Sequence, residues 1–467
     1  VHVSRDDGES WQDVTDNLPD WPQDGVVRGI DASKWDAGKA YLVAEGHQVA
    51  DFRPHVYRTD DYGENWTKIT DGIADHILSF TRDISEDPVR PGLLYLGTEN
   101  RMYVSFDDGD NWQPLINNLP PAPMYGIVVQ EHFNDLVIGT YGRGFWIMDD
   151  ITPLQQLTPQ VAASALHLFE PRDTYRFRPI TSYRPIPNDP SAGENPQYGA
   201  SINYWLGEAQ AGGPTLRISD SSGRTIRTIQ GSGNAGINRV WWDLQDEPST
   251  MIRLRTKPLY ADWFQLGPEG WRPGGQQISM VVAPGTYSVT LDVGGQSQTQ
   301  QLRILKDPNS EGTLGDIRAQ LAMFAEVRED YEEVGDMVNR IEWARRQLYD
   351  LKAVLEDRGN AAEVLDAIDE LDEKLIAVED NLVRLLTAGG DGVRWAPKLA
   401  EELRYLSQNI SNGDFRPTDQ AVEVQTILND KVNQYRAEFD RLFQDDVAQF
   451  NRKLREQNMF PVITKDP

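Results

Sequence analysis

The chain has 467 residues, too many for a single core, so two to four domains are expected. Its formal charge of −28, from 73 acidic and 45 basic residues, argues against nucleic-acid binding, which needs clustered positive charge. The absence of Cys removes disulfides, thiolate metal sites and cysteine nucleophiles together.

Hydrophobic residues at 39%, with 13 Trp, 17 Tyr and 14 Phe, predict packed cores rather than disorder. Only 11 of the basic residues are Lys. A Lys-poor acidic surface suits a saline medium, and GC-rich coding produces the same bias. No apolar run of about 18 residues would span a membrane, and no signal peptide is visible. The chain starts at Val1, inside a repeat. The expectation is the C-terminal part of a longer exported precursor, in a secreted, periplasmic or cell-surface setting.

Residues 1–157 carry an internal repeat of the form S/T-x-D-x-G-x-x-W. Ser4, Asp6, Gly8 and Trp11 form the first copy; Thr59, Asp61, Gly63 and Trp66 the second; Ser105, Asp107, Gly109 and Trp112 the third. The Asp residues are 55 and 46 positions apart. Each box follows a short apolar strand, and further strand-like runs such as Ala40–Val43, Leu93–Thr98 and Leu136–Thr140 lie between boxes. About four short strands per unit of roughly 45 residues fit a β-propeller blade. Within a box, the Asp carboxylate accepts backbone N–H groups across a tight turn and the Gly supplies a positive φ. The Ser or Thr adds a bond, and the Trp is expected to fold over its own turn. One Asp per turn offers too few oxygens for calcium, so no metal site and no cofactor is assigned.

The boxes resemble the Asp-boxes, or BNR repeats, of sialidase-like and sortilin-like propellers. The phrases Glu86-Asp87-Pro88, Gly92–Glu99 and Gly142–Asp150 are similar to those of large bacterial exported proteins commonly labelled BNR-repeat glycosyl hydrolases. The resemblance implies a propeller, and a hydrolase label that the boxes themselves do not carry. Counting strands leaves too few blades for a closed ring, which needs about four to eight. The missing strands are expected from further N-terminal polypeptide or from another chain covering the open edge.

Residues 158–307 read as an Ig-like β-sandwich. Ala200–Leu206, Thr215–Asp220, Thr225–Ile229, Gly236–Leu244 and Ala283–Leu291 alternate with turn signals. A Pro-rich loop is expected over 181–200. The pattern resembles the small Ig-like domain of flagellar hook-capping and other exported bacterial proteins, with Trp241 or Trp242 in the core. An insertion at 249–278 brings Tyr260, Trp263, Phe264 and Trp271 with Arg253, Arg255 and Arg272, and is read as a cover between domains.

After Asp307-Pro308 the period changes. Residues 308–467 show apolar stripes at three- and four-residue steps, with stops at Gly359-Asn360 and Gly389-Gly390. The expectation is an antiparallel four-helix bundle. All six His precede residue 168, which removes a Glu-x-x-His di-iron motif. Glu332, Glu333, Asp369, Glu370 and Asp372 are read as solvated.

The whole is therefore expected to be multidomain: a partial β-propeller of Asp-box blades, an Ig-like β-sandwich and an α-helical four-helix bundle. No nucleophile elbow, P-loop or zinc-helix spacing occurs, and no catalytic residue is assigned. A sialidase-type Arg-Ile-Pro phrase is lacking before the first blade; the nearest strings, Phe177–Ile180 and Arg184–Ile186, follow the blades. Arg143 is read as a turn residue. Three functions stay open: an exported non-catalytic binding or assembly protein; a polysaccharide-active hydrolase whose carboxylates lie in blades outside this sequence; and a sortilin-like peptide receptor. A protein or polysaccharide partner is expected.

Overall fold

Alternating apolar residues between Gly, Asp and Asn turns fold residues 1–148 into short antiparallel meanders. β1 (His2–Val3) pairs with β2 (Gln12–Asp13). β3 (Val26–Ala32), β4 (Ala40–Gly46), β5 (Asp51–Thr59) and β6 (Thr67–Lys68) form a four-stranded sheet in that order. β7 (Thr81–Glu86), β8 (Leu94–Thr98), β9 (Met102–Ser105) and β10 (Gln113–Leu115) form a second. β11 (Met124–Gln130), β12 (Asp135–Thr140) and β13 (Phe145–Met148) form a third, of three strands. In this computed structural model residues 1–178, 193–356, 361–387 and 395–463 are described. Most of the expected 181–200 loop, the two Gly helix stops and the Arg184–Ile186 string lie outside them.

Successive sheets pack on one another. Tyr41, Val43, Val56 and Ile69 bury against Ile84, Leu94, Leu96 and Tyr103. Tyr95, Met102 and Val104 bury in turn against Met124, Ile127 and Ile138. Each such side chain contributes about 1.5–3 kcal/mol through burial.

α1 (Thr152–Gln156) and α2 (Pro159–Ala162) lead into two further sheets. β14 (Leu166–Leu168), β16 (Ala200–Leu206) and β19 (Gly236–Trp242) form one. The other runs β15 (Thr174–Arg176), β23 (Gln296–Lys306), β22 (Gly285–Val293), β17 (Thr215–Ser219), β18 (Thr225–Gln230). β15 joins β23 in parallel; all the other pairs are antiparallel. The two sheets share a core in which Trp242 is buried beside Tyr287, while Trp241 remains partly open.

The helical region holds α3 (Leu314–Leu355), α4 (Ala362–Leu382), α5 (Leu399–Ser411) and α6 (Asp419–Arg441). A π-helical turn at Leu442–Val447 carries α6 into α7 (Ala448–Glu456). Thr313 and Asp316 close a reciprocal capping box at the start of α3, which fixes where that 42-residue helix begins. The insertion at 249–278 packs onto α3: β20 (Arg253–Leu254) and β21 (Arg272–Pro273) pair, and Ile252, Leu254, Ile278 and Met280 join the helical core.

One reading of the acidic residues needs correction. Asp372 is not a solvated group: it accepts Arg345 Nε at 2.8 Å and the Tyr349 hydroxyl at 2.9 Å. Arg345 also meets Glu379 at 2.7 Å, and both of these side chains are buried in the helical interior. The Glu342 carboxylate accepts Thr256 N and Thr256 Oγ1, both at 2.7 Å, which anchors the insertion. The buried guanidinium offsets part of the cost of placing these acidic groups below the surface.

Candidate functional site

The three boxes share one hydrogen-bond pattern. Asp6 Oδ1 accepts Ser4 Oγ and Ser10 N, both at 2.9 Å, and Gly8 N donates to Ser4 Oγ at 2.8 Å. Asp61 accepts Thr59 Oγ1 at 3.0 Å and Asn65 N at 2.8 Å, with Gly63 N on Thr59 at 2.8 Å. Asp107 accepts Ser105 Oγ at 2.8 Å and Asn111 N at 2.9 Å, with Gly109 N on Ser105 at 3.0 Å. Each Gly has positive φ, between 83° and 93°. The residue before the Trp, unremarked in the sequence pattern, closes the turn with a side-chain bond: Ser10, Asn65 and Asn111 each reach the second carboxylate oxygen. These bonds hold Asp6 and Asp61 below the ordinary carboxyl range, and at Asp107 they outweigh partial burial.

The Trp residues differ in what they cover. The indoles of Trp11 and Trp66 lie beside Gly8 and Gly63 of their own boxes, whereas Gly109 is covered by Ile69 of the preceding unit. Trp112, 3% exposed, packs with Tyr41, Val43 and Val56 of the preceding sheet. Trp66 packs with Leu18, beside the partly buried Val1 and Trp21. Trp11 is 63% exposed, because no earlier sheet among the described residues lies against it.

A second repeat, not recognised in the sequence reading, builds a polar cluster that spans all three larger sheets. β3, β7 and β11 lie side by side, and each has a register break at the same place. The breaks fall at Arg28, Arg82 and Tyr125. A further break in the β4–β5 pairing falls at Glu45. A bulge turns its extra residue out of the alternation and re-aims its side chain. The signal was present as Arg28-Gly29-Ile30, Arg82-Asp83-Ile84 and Tyr125-Gly126-Ile127, spaced like the boxes.

The re-aimed side chains meet. Arg28 and Arg82 both pair with the buried Glu45, Arg82 at 2.7 Å. His47 Nδ1 lies 2.9 Å from the same carboxylate, and Arg82 Nη2 is 2.6 Å from Glu99. The Arg82 guanidinium sits 4.7 Å from the ring centres of both Phe80 and Tyr125. His47 stacks on Phe80 at 4.8 Å, and Tyr125 lies 5.7 Å from Tyr141. Tyr125, Tyr141 and Phe145 form an exposed aromatic ledge beside this cluster. Arg143 lies exposed in the same β12–β13 turn, where its carbonyl accepts the Trp146 indole N–H.

Two carboxyls beside the bulges are pushed up. Burial raises Asp31 and Asp83. Asp31 accepts Glu86 N at 2.6 Å and Asp83 accepts Ile127 N at 2.8 Å, so each ties its strand to the next sheet. Among the described residues, no group of three or more His, Asp or Glu is arranged to hold a metal ion, and no helix is long and apolar enough to cross a membrane.

No protein-family model and no curated protein matches the chain. Among solved structures, a GH74 enzyme from Niastella koreensis aligns over 45% of this chain and 34% of its own length, at 14% identity and a TM-score of 0.24. A chain described as the extracellular domain of a hybrid two-component system from B. thetaiotaomicron aligns over 57% of this chain and 30% of its own, at 13% identity and a TM-score of 0.18. This chain thus spans about a third of the length of each. Both are weak structural neighbours of a multidomain, β-rich chain with a C-terminal helical region.

Proposed function

We propose that the chain is an exported, non-catalytic binding or assembly protein whose residues 1–157 are blades of an Asp-box β-propeller of the sortilin-like or BNR kind. The Ig-like sandwich (158–307) and the four-helix bundle (308–467) support those blades. Its partner, a protein or a polysaccharide, is read by the bulged ends of β3, β7 and β11. The observation that carries this reading is the state of Glu45 and Glu99: both are clamped on Arg82, beside the Tyr125–Tyr141 ledge. A glycosidase needs a pair of carboxyls free to meet the sugar, and here both are taken up in ion pairs with Arg82. An aromatic ledge beside fixed charges is instead a recognition surface.

The open side of β13 supports a partner that extends the propeller. Among the described residues β13 pairs only with β12, and Phe145 and Ile147 stand exposed along it. Further blades, or a strand of another chain, complete that sheet.

The test is glycan-array and pull-down binding with the intact protein, followed by product analysis on each bound polymer. Binding without turnover, lost in Tyr141→Ala, is expected. A hydrolase working at the bulged strand ends would draw on Asp31 and Asp83, the raised carboxyls beside the bulges. Polysaccharide cleavage abolished by Asp83→Asn would therefore sink the non-catalytic reading.

A further inference from the structure

Between α5 and α6 runs an apolar groove of about 830 Å³, floored by Leu406 and Leu428 and edged by the exposed Tyr405, Val424 and Ile427. It shares Arg384, Glu401 and Arg404 with a second concavity of about 360 Å³, formed where β21 and the segment after α4 meet α5. The smaller concavity adds Arg272. An apolar track therefore ends on three arginines.

Arg272 and Arg404 have no carboxylate hydrogen-bonded to them among the described residues. Arg384 Nη2 donates to Glu401 at 2.8 Å. Arg404 donates to the neutral Gln276 amide oxygen at 3.3 Å and has no carboxylate partner among the described residues. Arg272 lies 5.9 Å from the Phe264 ring centre, and its Nε is buried without a hydrogen-bond partner. Burial holds the Arg272 guanidinium below its ordinary value, only partly offset through space by Glu342 and Glu379. Arg272 and Arg404 thus line the concavity with no carboxylate hydrogen-bonded to either among the described residues, on a chain whose net charge is −28. Guanidinium donors left in this state match a planar carboxylate.

We propose that this composite site captures the carboxy-terminal end of a partner peptide. The terminal carboxylate sits between Arg272 and Arg404, and the apolar side chains that precede it lie along Tyr405, Val424 and Ile427. The placement of charge at the end of the track requires a ligand with its anion at the end of an apolar run. A fatty acid shares that chemistry, and the test separates the two.

The probe is a fluorescein-labelled hexapeptide ending in Val-Ile-Leu with a free carboxylate, titrated with the full chain by fluorescence anisotropy. Its C-terminal amide is expected to bind at least about tenfold more weakly. Arg404→Gln is expected to lose about tenfold in affinity, Arg404→Lys to recover part of it, and Ile427→Asp to abolish binding. Circular-dichroism melting of each variant, expected to match the parent, separates loss of the site from loss of the fold. The proposal is overturned if acid and amide bind alike or if Arg404→Gln binds as the parent does. It is equally overturned if no binding is seen up to about 1 mM, or if dodecanoate displaces the peptide and binds more tightly.

Discussion

Trp112 donates its indole N–H to the carbonyl oxygen of Ile69 at 3.0 Å, reaching across to the sheet before its own. The box therefore acts at two ranges. Its Ser, Asp and Gly set a local turn, and its Trp holds that turn against the neighbouring sheet.

Removing the indole should show this. Trp112→Ala is expected to destabilise the chain by about 3–5 kcal/mol, the cost of emptying a buried aromatic site. Trp11→Ala, in the same motif position but exposed, is expected to stay within about 0.5 kcal/mol. Equilibrium urea unfolding of the two variants checks both values. Similar losses would show that the Trp acts within its own turn.

Arg82 compensates two carboxylates at once, one of them fully buried. Arg82→Ala is expected to cost about 3–5 kcal/mol, because Glu45 keeps only Arg28 and His47. Arg82→Ala combined with Glu45→Gln should recover part of that loss. A double-mutant cycle read by thermal unfolding measures the coupling.

Asp414 joins the sandwich to the helices, buried against Arg176 and bonded to Arg178 Nε at 2.6 Å. Burial alone would raise its carboxyl, but the two guanidinium groups hold it below its ordinary value. A lowered carboxyl contributes stability in full above the unfolded value, about 3.9, and loses it as pH falls through the folded one. Acid unfolding followed below about pH 4 should begin at this joint. Asp414→Asn is expected to lower stability at neutral pH and to flatten that acid limb.

Glu379 has the opposite sign. Burial and the neighbouring Glu342 push its carboxyl well above the ordinary range, against the pull of Arg345. The folded chain then holds a proton that the unfolded chain releases, so stability falls as pH rises from about 4.3 toward the raised value. Glu379→Gln should be neutral or mildly stabilising at pH 7 and should weaken this slope. Melting temperatures across that range decide it.

Phe145, 82% exposed, stands on the edge of β13 that no strand among the described residues pairs with. Phe145→Lys is expected to leave stability within about 0.5 kcal/mol while reducing association with any strand-donating partner. Sedimentation velocity of the parent and variant reads the difference.

What could be read from the sequence divides by range. The boxes were legible because their bonds run two and four residues along the chain, as in Asp107 with Ser105 and Asn111. The destination of Trp112 was not, since Ile69 lies 43 residues away. The stripes of α3 were legible, yet the apolar series steps from Ile341 to Leu348, and the position that it skips is Arg345, the buried centre of the acidic cluster. Glu342 and Glu379 looked like any other acids on a helix, because only their tertiary neighbours bury them. The Arg82 cluster draws on all three larger sheets and turns on backbone bulges, which leave almost no trace in composition.

Asp150 accepts Ser201 Oγ and Asn203 Nδ2, while Arg239 donates to the carbonyls of Asp149 and Asp150. That knot lies where the first sheets give way to the sandwich, and the Arg176–Asp414 contact lies where the sandwich meets the helices. The two seams are in series. A tug applied to the helices is handed through Arg176 to the sandwich and through Arg239 to the sheets. Anything gripped at the far end of the helices is thereby tethered to the bulged strand ends through two guanidinium links.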